Sequence, residues 1–554
     1  MAASPVPSTA PAVPFTDVTA ASAVDFRHDH GGRGDKYMPE NMGPGLAVLD
    51  VDGDDRLDLF FVQGAPVDGR PPAPERRGHR LFRQTPDGTF REVSKAAGVD
   101  VVGVGMGVCY GDVDRDGDAD IFVTQFGADL LFIGAGDGTF REEAQARGLV
   151  GEGWSTGCTF FDPDLDGDLD LFVASYVDFT VKNHKYCGNA KKELRSYCHP
   201  DVYGAADDRL FLNDGHGRFH SAGRGSGIVP SPEAKGLGVL AHDFDGDGNP
   251  DLFVANDSTM NQLYLGNGKG GFEESALLVG VGYNRAGRAE AGMGVELGDV
   301  DGDGRAELFL THLDRETNTL YRPLGPDLYA DATDTSGLGP PSLPHVGFGT
   351  AFLDFDLDGD LDLAVVNGHI LDNIHLFAAD RSYRQPAQLF ENVGGRFREL
   401  PGALPNTEAL VGRGLVAADL DRDGDTDLVL TQNDGEARVL RNNAVTAGSG
   451  PAPSVTVTLQ GPEPIFGARL TFHIGRRTAT RFVPGARGYL SQGPPQIQLG
   501  LGTASAVDRL EIRWPDGQIE TYGPFAAGAR VVLHREPTTP PRPTPPQGDL
   551  KSSP

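Results

Sequence analysis

The stretch GLGVLAHDFDGDGNPDLFV, residues 236–254, decides the reading of the fold. At its centre lies D-x-D-x-D-G-x-x-D, with Asp243, Asp245, Asp247 and Asp251 at positions 1, 3, 5 and 9. Short β-forming runs flank it, VLAH before and DLFV from the last Asp onward, each about the length of a strand. The same frame begins again at Asp50, Asp112, Asp162, Asp299, Asp354 and Asp419, at spacings of 50 to 81 residues. Five residues before each first Asp stands a glycine: Gly45, Gly107, Gly157, Gly238, Gly294, Gly349 and Gly414. Seven copies in one frame mark an internal repeat.

Downstream of each motif come a Leu-Phe or Leu-Tyr pair, a Gly-rich turn and a Phe, as in LFLNDGHGRF, LYLGNGKGGF and LFIGAGDGTF. One repeat therefore reads as four antiparallel strands, and radial arrays of such units are β-propellers. The expected fold is all-β: a seven-bladed propeller over 13–445 with acidic hairpin loops, followed by a small β-domain over 453–534. The seventh repeat stops at ARVLRNN, before a fourth strand. VPFTDVTAASAVD (13–25) aligns with GTFREVSKAAGVD (88–100), so strand 15–24 is expected to complete the last blade and leave no open edge. An open solenoid with a frayed start is the alternative. Residues 1–12 and the Pro-rich tail 535–554 are expected to be disordered.

Alternating carboxylates on a tight loop turn hard oxygens toward one point, and Gly at position 6 permits the reversal. Calcium takes six to eight oxygens in a flexible shell, magnesium demands strict octahedral geometry, and zinc prefers His and Cys. Seven Ca2+ sites are therefore expected. Their ligands are Asp50, Asp52, Asp54 and Asp58; Asp112, Asp114, Asp116 and Asp120; Asp162, Asp164, Asp166 and Asp170; Asp243, Asp245, Asp247 and Asp251; Asp299, Asp301, Asp303 and Glu307; Asp354, Asp356, Asp358 and Asp362; and Asp419, Asp421, Asp423 and Asp427. An EF-hand would need a Glu at position 12, which is apolar here (Val123, Val254). Asp55 replaces Gly at position 6 of the first loop and must tolerate its turn; Glu307 replaces Asp at position 9 of the fifth.

The 554-residue chain has 48 Lys and Arg against 79 Asp and Glu, a formal charge of −31. Four carboxylates in each of seven loops account for 28 of those charges. Such a surface argues against nucleic acid as a partner. The chain is 39% hydrophobic, enough for a packed core, and no window approaches a transmembrane span. Met1 to Pro14 has neither a basic n-region nor an apolar h-region, so it is not an intact signal peptide; secretion implies that one has been removed.

The repeats resemble FG-GAP/VCBS repeats, the calcium-loop blades of integrin α-subunit propellers. The segment 455–522 resembles the ASPIC/UnbV domain through GARLTF, GYLSQ, LGLG and VDRLEIRWPDG, in that order. Together they are similar to the cartilage acidic protein family, which has bacterial members. The stretch around Tyr186-Cys187 and Tyr197-Cys198-His199-Pro200 also looks family-like. The resemblance implies a secreted, extracellular or periplasmic calcium-binding protein of adhesion or interaction type, and no defined reaction.

In a propeller the acidic loops share one face, and the connections between second and third strands share the other. Five residues past each position 9 stands a polar side chain: Gln63, Gln125, Ser175, Asn256, His312, Asn367 and Gln432. These are expected to form a polar ring on the face opposite calcium, with ordinary strand-end polarity as the alternative. The insertions 64–79, 176–206 and 368–386 fall on that face, and the N-terminal loop FRHDHGGRGDKYMPENM (26–42) should join them. Long loops on a rigid ring are where recognition concentrates, so a protein or glycan partner is expected there. Cys187 and Cys198 share one insertion; they are read as a disulfide, with a zinc site beside His184 and His199 as the alternative. Cys109 and Cys158, on neighbouring inner strands, read as buried free thiols. Arg33-Gly34-Asp35 spells an integrin-binding tripeptide, which chance explains in a chain of this composition. His28, His30, His312, His345 and His369 could gather at the channel mouth. That would suit a second reading, an enzyme of secondary metabolism; a passive surface scaffold is a third.

Overall fold

A computed structural model of the chain describes residues 14–72, 78–228, 231–445, 452–461, 464–483 and 485–535. The N-terminal segment 1–12 and the tail from 536 lie outside these residues. Arg535 lies inside them, its N–H donated to Gln460 O at 2.8 Å.

The repeat region is a β-propeller, and among the described residues each acidic loop belongs to a four-stranded antiparallel unit. The second and third units are joined into one eight-stranded sheet where Gly153 and Trp154 pair with Gly127 and Phe126. In the fourth, Gly236–His242, Asp251–Asn256, Gln262–Gly266 and Phe272–Glu274 pair in succession. The seven inner strands are Leu46–Leu49, Val104–Gly111, Gly153–Phe161, Gly236–His242, Val295–Gly298, Gly347–Leu353 and Gly412–Ala418. Each packs beside the next, and the last packs beside the first. The seventh unit takes its outer strand from the N-terminus, where Phe15–Asp17 pairs antiparallel with Arg438–Asn442; the strand expected over 15–24 is shorter, because the chain turns over 19–23. Thr431 Oγ1 stitches the same seam by donating to Pro44 O at 2.7 Å.

The repeated glycine has a steric cause. A Cβ on Gly238 would lie 2.3 Å from Met293 O of the next inner strand. Only an absent side chain lets the inner strands converge this closely.

Neighbouring units pack apolar face on apolar face. Between the second and third lie Phe122, Leu131, Phe160 and Leu171, with Cys109 and Cys158 among them. Those two cysteines form a disulfide, with Cα atoms 5.9 Å apart, which corrects the expectation of free thiols. Alternate residues of a strand point to opposite faces. An offset of one position in the repeat frame therefore aims the two side chains at each other across the gap. Cys187 and Cys198 form the second disulfide, on the 176–206 insertion.

Among the described residues the C-terminal unit holds a short two-stranded sheet, Ala506–Val507 with Phe525–Ala526, and two larger ones. In one, Ser454–Gln460 lies between Gln496–Gly500 and a parallel Arg530–His534. The other runs Arg477–Phe482, Arg469–Ile474, Arg509–Arg513, Ile519–Tyr522. Their apolar faces meet around Val457, Leu470, Phe472, Leu499, Ile512 and Trp514.

This unit sits on the acidic-loop rim, and its 485–493 segment enters the propeller channel. Gly488 exchanges backbone bonds with Val295 at 2.8 and 2.6 Å. Leu490 O accepts from Val108 N at 3.2 Å, and Gln492 N donates to Leu46 O at 3.1 Å. The Tyr489 ring lies 4.8 Å from that of Phe348. Inner strands of the first, second, fifth and sixth units thus all touch one inserted segment.

Candidate metal loops and recognition face

Each acidic loop joins the first and second strands of its unit, so all seven share one rim. The turn is made by two left-handed residues. Position 6 has φ between +65° (Asp55) and +100° (Gly424), so Asp55 adopts the turn that Gly makes elsewhere. Position 4 is left-handed as well, even where it is Arg115, Leu165, Leu357 or Arg422. This second reversal is invisible in the motif because no residue type marks it.

The first and last carboxylates hold the loop. The position 1 carboxylate accepts the position 6 N–H in loops one to five and seven, for example Gly117 N to Asp112 at 2.9 Å. Position 9 is buried and bridges strands: Asp362 accepts Phe355 N at 3.1 Å and Asn392 N at 2.7 Å. In four of the units a third-strand Asn or Gln, missed by the sequence reading, ties the unit to the acidic loop of the preceding one. Asn392 Nδ2 donates to Val300 O of the preceding loop at 2.8 Å; Asn213, Asn442 and Gln84 do the same to Val113, Phe355 and Leu420. A recurring Asn or Gln near the end of the third strand (LFLN, LFEN, VLRN, LFRQ) was its signal.

Carboxylate oxygens converge inside the loops. In Asp50/Asp52/Asp58, Asp112/Asp114/Asp120, Asp162/Asp164/Asp166, Asp243/Asp245/Asp251 and Asp299/Asp301/Asp303, one oxygen from each residue lies within 4.8 Å of the others. Buried oxygens of Asp52, Asp114, Asp164, Asp170, Asp354 and Asp419 have no hydrogen-bond partner. Burial, reinforced by the neighbouring carboxylates, pushes Asp120 and Asp251 up to about 8 and Asp170 up to about 9. Arginines neutralise part of this charge: Arg147 lies 3.0 Å from Asp114, Arg322 lies 3.2 Å from Asp301, and Arg83 pairs with Asp52. An all-oxygen donor set with buried, unpartnered atoms fits a hard divalent cation.

On the opposite rim the polar ring is corrected. Gln63, Gln125, Ser175, Asn256, His312, Asn367 and Gln432 are all buried, none more than 6% exposed. Several of these side chains are taken up by bonds to neighbouring backbone. Gln63 accepts from Asp29 N at 2.8 Å and donates to Arg27 O at 3.1 Å, so it anchors the N-terminal loop. Asn367 and Gln432 likewise donate to Pro386 O and Glu436 O.

The N-terminal loop interlocks with two insertions. Lys36 donates to Asp372, Tyr197 to Glu40 at 3.1 Å, and Asn373 Nδ2 to Arg195 O at 2.7 Å. Within Arg33-Gly34-Asp35, the Asp35 carboxylate faces Arg70 at 3.1 Å and Arg195 at 3.9 Å, and His184 Nε2 contacts Asp35 O at 3.0 Å. That ring nitrogen also meets Arg195 at 2.7 Å, and both cysteines of the insertion are in their disulfide, so the zinc alternative has no thiolate to use. Of the five histidines, His28 accepts Asp434 N, His30 accepts Gly32 N, His369 accepts Leu371 N, His312 lies 3.8 Å from Glu290, and the buried Nδ1 of His345 has no hydrogen-bond partner among the described residues. The insertions expose Tyr186, Leu376 and Phe377, each 45–52% accessible.

The FG-GAP-like repeat family matches residues 50–123, 112–173, 198–254, 243–310 and 299–365, and the ASPIC and UnbV family matches residues 459–540. Cartilage acidic protein 1 of Mus musculus is 25% identical over 320 residues, 56% of this chain and 38% of its own. The Homo sapiens protein of the same name is 24% identical over 331 residues, 58% of this chain and 39% of its own. The chain thus spans about two-fifths of the length of these curated relatives. Among solved structures, an Agrocybe aegerita lectin that recognises N-acetylglucosamine aligns with TM-score 0.38 and 13% identity, over 67% of this chain and 89% of that one. BBS1N in complex with ARL6DN aligns with TM-score 0.41 and 10% identity, over 78% and 98%.

Proposed function

The chain belongs to the FG-GAP-like repeat family and carries an ASPIC and UnbV domain, and from that premise we propose a calcium-stabilised extracellular interaction module that binds a protein or glycan through the rim opposite its acidic loops. The observation that carries the calcium reading is the convergence of buried, unpartnered carboxylate oxygens in the loops. The carboxylates at positions 1, 3, 5 and 9 would hold the ion, while the position 9 side chain also ties the second residue of the loop to the third strand, as Asp362 does for Phe355 and Asn392. Bound calcium would supply the positive charge that these buried carboxylates lack. Loops of extracellular type bind with Kd of roughly 10⁻⁴–10⁻³ M. At about 1 mM calcium each filled site would stabilise the fold by roughly 0.4–1.4 kcal/mol.

Two disulfides support an oxidising compartment. Among the described residues no helix is long and apolar enough to cross a membrane. The partner rim is favoured because the acidic rim is largely occupied by the chain's own C-terminal unit. Exposed apolar side chains on two interlocked insertions also suit a protein or glycan surface.

Two measurements test the reading. Chelation with EGTA should lower the melting temperature by several degrees; an unchanged melt would remove the structural role of calcium. Tyr186→Ser combined with Phe377→Ser should weaken binding of a captured partner at least about tenfold while leaving the melt in place. Unweakened binding would move the interface elsewhere.

A further inference from the structure

We propose that the fifth, sixth and seventh acidic loops are the calcium-dependent seat of the chain's own C-terminal unit, and that the 485–493 segment relays the state of that seat through the channel to the N-terminal loop. The proposal rests on the calcium reading above.

The shared contact is the carbonyl at position 6. Gly304 O accepts from Arg469 at 2.9 Å and Gly359 O accepts from Arg481 at 2.9 Å. Gly424 O accepts from Gln498 and Ser454, both at 2.6 Å. Different strands of the C-terminal unit thus reach the same backbone atom in three successive repeats. The aim of that atom depends on the left-handed turn at position 6, with φ of +86°, +94° and +100°.

Position 1 is engaged too. Gly500 N donates to Asp354 Oδ2 at 2.8 Å, and Arg530 pairs with Asp419. The other oxygen of Asp354, of Asp419 and of Asp299 is buried and has no hydrogen-bond partner. A cation held there would fix the turn that the C-terminal unit grips. Loops one to three differ in that a cavity of about 570 Å³, also bordered by Arg422 of loop seven, lies between them and the C-terminal unit, whereas the cavity of about 350 Å³ beside loop five leaves its Gly304 contact in place. They are an internal control.

The relay is a continuous packed path. The 485–493 segment is bonded to inner strands on its way through, at Val295, Val108 and Leu46. At its far end Tyr489 Oη donates to Met42 O at 2.9 Å. Phe348 also packs against Arg413, whose guanidinium lies 3.8 Å from the ring centroid and donates to Asn41 O at 3.0 and 2.7 Å. Asn41 and Met42 close the loop whose Lys36 and Glu40 hold the two insertions. An ion that binds the docked loops better than the released ones must favour docking by that same difference. The tip of the segment then passes it to the partner rim through contacts too tight to deform smoothly.

Hydrogen exchange on the full chain tests this, with bound calcium counted by native mass spectrometry in parallel. One variant joins Asp356→Asn and Asp421→Asn in loops six and seven; a control joins Asp114→Asn and Asp164→Asn in loops two and three; a third is Tyr489→Phe. EGTA, or the loop six and seven substitutions, should speed exchange in 485–493 and in 37–42 at least about tenfold. The control should speed exchange only in its own loops. Tyr489→Phe should speed exchange in 37–42 with the ion count unchanged. If no calcium binds, the calcium reading fails and this proposal falls with it. If calcium binds but chelation leaves 485–493 unmoved, or the control acts like the loop six and seven pair, this proposal alone fails.

Discussion

Glu296 lies in the channel wall with no exposed surface, one carboxylate oxygen unpartnered and Arg487 of the inserted segment 4.0 Å away. Burial outweighs that arginine and pushes the carboxyl up to about 7 from an ordinary value of 4.5. A raised folded pKa gives stability that is complete below about 4.5 and is lost as pH rises through about 7. Glu296→Gln is neutral throughout. Its melting temperature should therefore exceed the parent's at pH 8 by more than at pH 5, and match it near pH 4, with at most about 3 kcal/mol at stake. Equal pH dependence in the two proteins would show that the inserted segment already neutralises this carboxylate.

At the scale of the element, the inner strand explains both what was legible and what was not. Gly238 repeats in frame, so its importance could be read, yet the reason is the Met293 carbonyl of another unit. Gly238→Val should cost about 3 kcal/mol or more and be seen as loss of the cooperative melt or of soluble protein; a variant with the parent's melt would mean that the inner strands can spread. The strand alternation and the acidic loops were readable because each is local or repeats; the N-terminal closing strand was readable only in part, at Phe15–Asp17 and not out to 24. The burial of the polar residues beyond position 9 was not readable because no residue type marks which backbone they will bond, whether near in sequence, as Glu436 O for Gln432, or distant, as Arg27 O for Gln63. Cys109 and Cys158 were misread because their pairing depends on which face of each sheet meets its neighbour. GYLSQ looked like an ordinary piece of the C-terminal unit; nothing local announces a segment bound on several sides by the walls of a channel.

For the whole molecule, the two rims have different occupants. The acidic rim receives the C-terminal unit through backbone carbonyls of loops five to seven, and the opposite rim interlocks the N-terminal loop with two insertions. The charge balance follows the same division. Most of the excess acidity lies in loops, so metal loading would change the electrostatics of one rim and leave the other largely alone. Native mass spectrometry at millimolar calcium tests the central claim most directly. The account expects seven calcium ions per chain and the loss of one ion for each loop whose first and third Asp are changed to Asn; a calcium-free mass, or a count that ignores those substitutions, would contradict it.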